Sequence, residues 1–217
     1  MLRQAAAAAL AGTGLLLCTG PNASAAERRP ARLLLEIGQT INLSLNAFGT
    51  PLAVPLPPPV PPLNFIGSMV VYVLLGGPGF VRLRVLGFTM EAFHPLLGRV
   101  LLKLPDVDTA TASTLVLGPA GVVQTMLVPL DMTLERLGDL AGPLAFTTAE
   151  LAKASATLTD FPPPSAEHRS RRSPTGGAFL KAAAPIRFRP KNLLPPRLPT
   201  GLGNLRLFWD GVNEGQL

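Results

Sequence analysis

The side chains that could perform acid–base chemistry are few in this 217-residue chain, which has only two histidines, His94 and His168. Glu91 precedes His94 by three positions, and such a carboxyl could orient an imidazole that acts as a general base. Neither histidine belongs to a catalytic motif, and Ser68 lacks the glycine two residues later that a nucleophile elbow carries. We therefore lean against an enzyme, with His94 and Glu91 as weak candidates for a catalytic site.

Metal and cofactor chemistry has little support in the sequence. Asp106 and Asp108 form the one close pair of carboxylates, and their spacing could begin a calcium-binding loop, but no further acidic ligands follow nearby. Cys18 is the single cysteine, so no disulfide is expected. The glycines of segment 76–79 are followed by neither a lysine nor a helical pattern, which excludes a phosphate-binding loop. We predict no metal and no cofactor.

The most concentrated charge is the run of arginines at Arg169, Arg171 and Arg172. Residues 27–164 hold nine basic and ten acidic side chains, a net charge of −1, whereas residues 165–217 hold nine and three, a net charge of +6. Such a cluster can bind lipid headgroups or an anionic envelope polymer, and it can equally be a solvated loop. No nucleic-acid-binding motif accompanies it. We take these three arginines as candidate contacts to a ligand or surface.

Residues 1–26 have the composition of a secretory signal peptide. Arg3 supplies a positive charge, residues 5–17 form an apolar stretch of thirteen residues, and small residues at 23–26 suit signal cleavage. The stretch is shorter than the roughly 20 residues that a membrane-spanning helix needs. We predict cleavage after Ala26 and a secreted protein, extracellular or associated with the cell envelope, with no transmembrane helix after cleavage.

Strand patterns dominate the rest of the chain. Residues 41–47 alternate apolar and polar side chains, which predicts a half-buried strand with Leu43 inward and Ser44 outward. Residues 63–75 are nearly all apolar, which predicts a strand buried on both faces. Further strands are predicted as hairpins at 80–104 and 114–128, and singly at 130–135, 186–188 and 205–209.

Three other segments interrupt these strands. Residues 148–156 fit either a short helix after a capping box or a threonine-rich strand, and both alternatives stay open. Seven prolines within 51–62 predict an extended polyproline II segment, either a stiff crossover or an exposed arm. Residues 165–177 are polar and basic and end in Gly-Gly, which predicts a mobile loop.

Many short strands separated by Gly/Pro turns indicate an all-β fold, either an antiparallel β-sandwich or a barrel, in one domain over residues 27–217. High aliphatic content and the basic C-terminal third favour an exported, non-catalytic binding protein for a lipid-like ligand or an anionic surface. Two alternatives are an exported hydrolase with an unrecognised site and a structural envelope component. Convergence of His94 with an acid in a cleft would favour the hydrolase, and a ligand cavity would favour binding.

Overall fold

The computed structural model describes residues 35–54, 59–106, 112–139, 142–165, 176–192 and 200–217. Within them the chain forms strands and one short 3-10 helix, Thr200–Asn204. No helix in these ranges is long and apolar enough to cross a membrane. The strands are β1 (Thr40–Thr50), β2 (Leu52–Ala53), β3 (Leu63–Gly77), β4 (Phe80–His94), β5 (Gly98–Lys103), β6 (Ala112–Gly118), β7 (Gly121–Val128), β8 (Asp131–Leu134), β9 (Leu144–Thr148), β10 (Ala152–Leu158), β11 (Ala178–Ala182), β12 (Ile186–Pro190), β13 (Leu205–Leu207) and β14 (Val212–Gln216).

Eight of the strands close into an antiparallel barrel. Its order is β4, β3, β1, β14, β11, β10, β7, β6, and the pairing of β6 with β4 completes the ring. Only the first part of β4 takes part in that closure, where Phe80 lies opposite Val116 and Arg84 opposite Ala112. The predicted all-β fold is confirmed, and of its two forms the barrel is present.

The second part of β4 begins an extension of the same sheet. Its residues from Thr89 to His94 pair with β5, and the order then runs through β8, β9, β12 and β13 to β2. Buried apolar side chains of the barrel and of this extension form one hydrophobic cluster. Phe88 of β4 packs against Trp209 with ring centroids 5.9 Å apart. The extension therefore shares its core with the barrel.

β1 has the predicted alternation, with Ile41, Leu43, Leu45 and Ala47 buried. Its opposite face is also covered in part, because Ser44 is 9% exposed and Asn46 is 2% exposed. Ser44 Oγ donates a hydrogen bond to the carbonyl of Gly215. The prediction of a half-buried strand is therefore wrong at the centre of β1.

β3 is less covered by other parts of the chain than predicted, whereas β1 is more covered. Its inner side chains are buried, but Ile66 is 57% exposed and Leu75 is 40% exposed on the outer face. A strand covered on both faces needs a second layer, and an antiparallel barrel can leave its outer face in water. Continuous apolar sequence was therefore not evidence for two-sided burial here.

The two predicted hairpins are present as β4–β5 and β6–β7. The helical alternative for residues 148–156 is wrong, because β10 pairs with β7 along seven consecutive residues. Alanines alternate with polar residues in β10, so a two-residue period places one small apolar side chain after another inward. Residues 1–26, part of the proline-rich segment 51–62 and most of the loop 165–177 lie outside the described residues.

Candidate functional site

A carboxyl and an amide meet inside the barrel, at Glu214 of β14 and Gln124 of β7. Gln124 Nε2 donates to both carboxyl oxygens of Glu214, at 3.2 and 3.1 Å. Strands β11 and β10 separate β14 from β7 in the sheet order, so this contact crosses the barrel interior rather than joining neighbouring strands. Glu214 is 0% exposed and Gln124 is 2% exposed. The pair is therefore shielded from solvent.

The surroundings of this pair are aliphatic. Glu214 lies opposite Leu45 of β1, and Gln124 lies opposite Leu115 of β6. Directly opposite residues in an antiparallel pair share a face, so both polar side chains project among the buried apolar side chains of the interior. Three of the four inward residues of β10 are alanines, Ala152, Ala154 and Ala156, which project less than any other apolar side chain, and the fourth is Leu158. Small side chains thus form the wall beside the polar pair.

Burial raises the pKa of Glu214 from 4.5 to about 7, and the hydrogen bond from Gln124 opposes part of that rise. Glu214 forms no ion pair with another described residue. Asp131 is also buried, but Lys191 Nζ lies 2.5 Å from its Oδ2. Glu214 is therefore a buried acid that can hold a proton near neutral pH.

The hydrogen-bonding capacity of Gln124 is incompletely used. Among the described residues, nothing donates a hydrogen bond to its buried Oε1. Leaving a buried acceptor without a donor costs about 1–3 kcal/mol, so such groups are rare in folded proteins. The Oε1 atom can accept a hydrogen bond from a hydroxyl or N–H group of a ligand. Gln124 and Glu214 together form the candidate polar anchor of a site in the barrel.

A second buried polar pair lies on the opposite face of the sheet and is separate from this site. Asn46 of β1 lies opposite Asn213 of β14. Asn213 Nδ2 donates to the carbonyl of Gly176 at 3.0 Å. At Gly177, φ is +67° and an added Cβ would lie 2.5 Å from the Glu214 carbonyl oxygen, so this position favours glycine. The chain before β11 therefore packs closely over the outside of β14.

The weak catalytic candidates His94 and Glu91 are not brought together. An odd number of strand positions separates them in β4, so their side chains lie on opposite faces, Glu91 exposed and His94 buried. Nδ1 of His94 accepts a hydrogen bond from the Leu96 N–H at 3.2 Å, within its own turn. Glu91 instead pairs with Arg99, whose Nη2 lies 2.6 Å from its Oε2. The His94 side chain thus forms a hydrogen bond within the β4–β5 turn.

Glu91 contributes to an open surface groove of about 620 Å³ on the outer face of β3, β4 and β5. Ile66 and Phe93 are its two large apolar side chains, and Phe93 is 74% exposed. Arg99 binds Glu91 through its side chain, and its backbone N–H donates to Glu135 at 2.7 Å. The charged groups of the groove that the structure describes are therefore bonded to one another. The predicted surface contacts Arg169, Arg171 and Arg172 lie outside the described residues.

Sequence reasoning missed both Gln124 and Glu214. A signal for Gln124 was present, because in the predicted hairpin it takes an inward position between Val122 and Met126. Glu214 has no such signal, since Val212 and Glu214 are separated by the equally buried Asn213. Their meeting depends on residues 90 positions apart in sequence. Local periodicity does not contain that information.

Comparison with known proteins finds a solved structure with a similar fold but no matching family. No protein-family model matches the chain, and no curated protein matches it. The fold is similar to that of DynF from the dynemicin biosynthesis pathway of Micromonospora chersina, with a TM-score of 0.60 and 17% sequence identity. The match covers 83% of this chain and 82% of DynF. At that identity the likeness shows a shared fold.

Proposed function

We propose that this chain is a non-catalytic binding protein that holds one neutral, lipid-like molecule inside the eight-stranded barrel. The observation that carries the proposal is the buried Oε1 of Gln124, which accepts no hydrogen bond from the described residues and lies beside Glu214. A ligand hydroxyl would supply the missing donor and remove the cost of an unsatisfied buried acceptor. The ligand is thus an apolar chain or ring system that carries at least one hydroxyl.

The size and lining of the barrel support this proposal. Eight strands give an interior that side chains just fill or that holds one small ligand. Here the wall formed by β10 offers only Ala152, Ala154 and Ala156 toward the barrel interior over most of its length. Ligand sites are commonly apolar with a few placed polar groups. DynF provides a precedent for this fold in a biosynthetic pathway.

The charge state of Glu214 favours a neutral ligand over an anionic one. With its pKa near 7, Glu214 is largely ionised above pH 8 and would repel a ligand carboxylate in a medium of low dielectric constant. An alcohol avoids that repulsion. We therefore expect a long-chain alcohol to bind more tightly than the matching fatty acid at pH 8.

The predicted secretory signal makes the cell envelope or the extracellular space the proposed place of action. The exported hydrolase and the structural envelope component remain the alternative hypotheses. The hydrolase would need a base other than the pair His94 and Glu91, whose side chains lie on opposite faces of β4. The ligand-binding proposal has an observed, buried polar anchor, and we prefer it for that reason.

The test compares a pyrene-labelled long-chain alcohol with the pyrene-labelled alkane of the same length, each titrated into wild type and Gln124→Leu. The hydrogen bond to a neutral hydroxyl should be worth about 1 kcal/mol, so the variant should bind the alcohol about fivefold more weakly. Binding of the alkane should not weaken. Equal affinity of wild type for alcohol and alkane, or no binding of either, would overturn the proposal. Native mass spectrometry of purified protein for a co-purified lipid gives an independent check.

A further inference from the structure

Two hairpin tips of the barrel contain no polar side chain. The tip between β3 and β4 comprises residues 73–81, and the tip between β6 and β7 comprises residues 115–123. Each of these nine-residue segments consists entirely of aliphatic residues, glycine and proline, with Phe80 as the one aromatic. Turns exposed to water ordinarily carry Asn, Asp or Ser beside glycine and proline. The composition of both tips is therefore unusual for turns in contact with water.

The two tips form one continuous surface at one end of the barrel. Phe80 lies opposite Val116, and the Leu117 N–H donates to the carbonyl of Gly79 at 2.7 Å. The structure exposes fourteen large hydrophobic side chains among its described residues, and six of them belong to these tips. The six are Leu74, Leu75, Phe80, Val116, Leu117 and Val123. Their concentration marks an interaction surface rather than scattered surface hydrophobics.

A belt of amphipathic side chains begins at the level of Leu75, which lies opposite Arg82. Arg82 is exposed on the outer face of β4 and lies opposite Thr114, while Tyr72 lies opposite Arg84. A strand rises about 3.3 Å per residue, so Arg82 lies roughly 10 Å from the turn at Gly79. Arginine and tyrosine suit the boundary between apolar and aqueous surroundings because each has an apolar body and a polar end. The belt is thus spaced for a headgroup layer, since interfacial elements bury about 5–10 Å into a bilayer.

Two carboxylates also lie near this end of the barrel, and neither belongs to the tips. Glu36 is in the turn before β1, which is bonded to β3 through Gly38 N–H and the Val73 carbonyl. Asp160 follows β10 by two residues. Both side chains are exposed and flank the apolar surface. The docking proposed below therefore requires both carboxylates to stay at the headgroup level.

We propose that the barrel end formed by residues 73–81 and 115–123 docks on a phospholipid surface. The tips enter the acyl-chain boundary, and Arg82 lies among the headgroup phosphates, whose charge it complements. Pairing of the same surface in two copies of this chain would instead place two Arg82 side chains at one interface, and neither tip has an acidic side chain to pair with them. This docking is independent of the ligand proposed for the barrel interior.

The two exposed phenylalanines of β4 provide a matched test. Phe80 begins the strand inside the tip, whereas Phe93 lies near its other end in the surface groove and is the more exposed of the two. The experiment is co-sedimentation of the full chain with vesicles of phosphatidylcholine containing phosphatidylglycerol. Phe80→Ser should weaken vesicle binding about tenfold, because burial of a phenylalanine side chain in an apolar phase is lost. Phe93→Ser should bind like wild type. Circular dichroism checks that both variants are folded.

A charge variant separates the headgroup contact from apolar insertion. Arg82→Gln should reduce binding to vesicles with phosphatidylglycerol and have little effect on vesicles of phosphatidylcholine alone. Arg206→Gln, at an exposed position of β13, is the control and should not reduce binding.

Four outcomes would overturn the proposal. The first is wild type that does not sediment with either vesicle, and the second is equal weakening by Phe80→Ser and Phe93→Ser. The third is loss of vesicle binding when Arg169, Arg171 and Arg172 are replaced by Ser while Phe80→Ser binds normally, which would assign the contact to the arginine run. The fourth is a dimer in analytical ultracentrifugation that Phe80→Ser dissociates, which would assign the tips to a contact between two copies.

Discussion

At the scale of single residues, Glu214 is the residue whose burial most affects how the stability of the fold depends on pH. An isolated carboxylate is costly to bury, and here burial raises its pKa to about 7 while Gln124 offers one neutral donor group. The folded protein therefore binds a proton at Glu214 more tightly than the unfolded chain does. A group whose pKa is higher in the folded protein than in the unfolded chain stabilises the fold at low pH, and this contribution is lost as the pH rises.

We predict that Glu214→Gln removes a pH-dependent part of the stability. Below pH 4.5 the carboxyl is protonated in both states, and its contribution then declines between pH 4.5 and about 7 as the unfolded chain releases its proton first. The contribution of Glu214 to the free energy of unfolding should differ by on the order of 3 kcal/mol between the two ends of this pH window. In urea denaturation at pH 5 and pH 8, Glu214→Gln should gain stability relative to wild type as the pH rises.

The exposed Glu150→Gln variant serves as the control for this pH series, since Glu150 lies in the turn before β10. Its difference from wild type should not change between the two pH values. A stability difference between wild type and Glu214→Gln that is independent of pH would contradict the assignment of a raised pKa to Glu214.

At the scale of elements, β1 contains three consecutive positions with different surroundings. Leu43 is 0% exposed inside the barrel, Ser44 is 9% exposed on the other face, and Asn42 is exposed. Leu43→Asp should cost several kcal/mol because it buries an unpaired charge. Ser44→Asp should also destabilise, since Ser44 Oγ donates to the Gly215 carbonyl and a carboxylate oxygen cannot.

Asn42→Asp is the reference for these two variants and should change the free energy of unfolding by no more than about 0.5 kcal/mol. The three variants are compared by urea denaturation at pH 7. Tolerance of Ser44→Asp at the level of Asn42→Asp would show that the outer face of β1 is open to solvent.

The contact between β3 and β4 offers a second test at this scale. A Cβ added at Gly67 would overlap the backbone of Thr89 in β4, whereas one added at Gly87 would lie 3.5 Å from Val70 Cγ2, at ordinary contact distance. Gly67→Ala should therefore cost about 1–3 kcal/mol through overpacking. Gly87→Ala should be neutral or slightly stabilising, because alanine restricts the unfolded chain. Equal effects of the two substitutions in thermal denaturation would contradict the close approach of the strands.

At the scale of the whole molecule, closure of the barrel depends on β4, which pairs with β6 in its first part and with β5 in its second. The long strand thereby belongs to the barrel and to the sheet extension, and the two share one core. The apolar tips lie at the closing end, where β4 begins. Ligand binding in the interior and docking on a lipid surface are thus proposed for one connected unit.

Export is a prediction for the whole molecule as well. If residues 1–26 act as a secretory signal, protein recovered from outside the producing cell should begin near Glu27, because the small residues at 23–26 provide the cleavage site. N-terminal sequencing of that material is the measurement. Recovery of exported protein that retains Met1 would instead indicate an uncleaved anchor.

The sequence by itself determined the all-β class, both hairpins and the inward side chains of β1. These features depend on a two-residue period and on Gly/Pro turns, which are properties of short segments. The same local information could not decide between helix and strand at residues 148–156, where a capping box and threonines indicate different structures. The pairing of β10 with β7 decided that question.

Only the tertiary structure decided which faces are covered and which distant residues meet. The outer face of β3 is apolar yet exposed, because burial depends on whether a second layer packs there and not on the strand's own composition. Glu214 and Gln124 come together because closure through β4 and β6 curves the sheet until β14 and β7 face each other. Barrel closure is a non-local pairing, and no segment of the sequence encodes it alone.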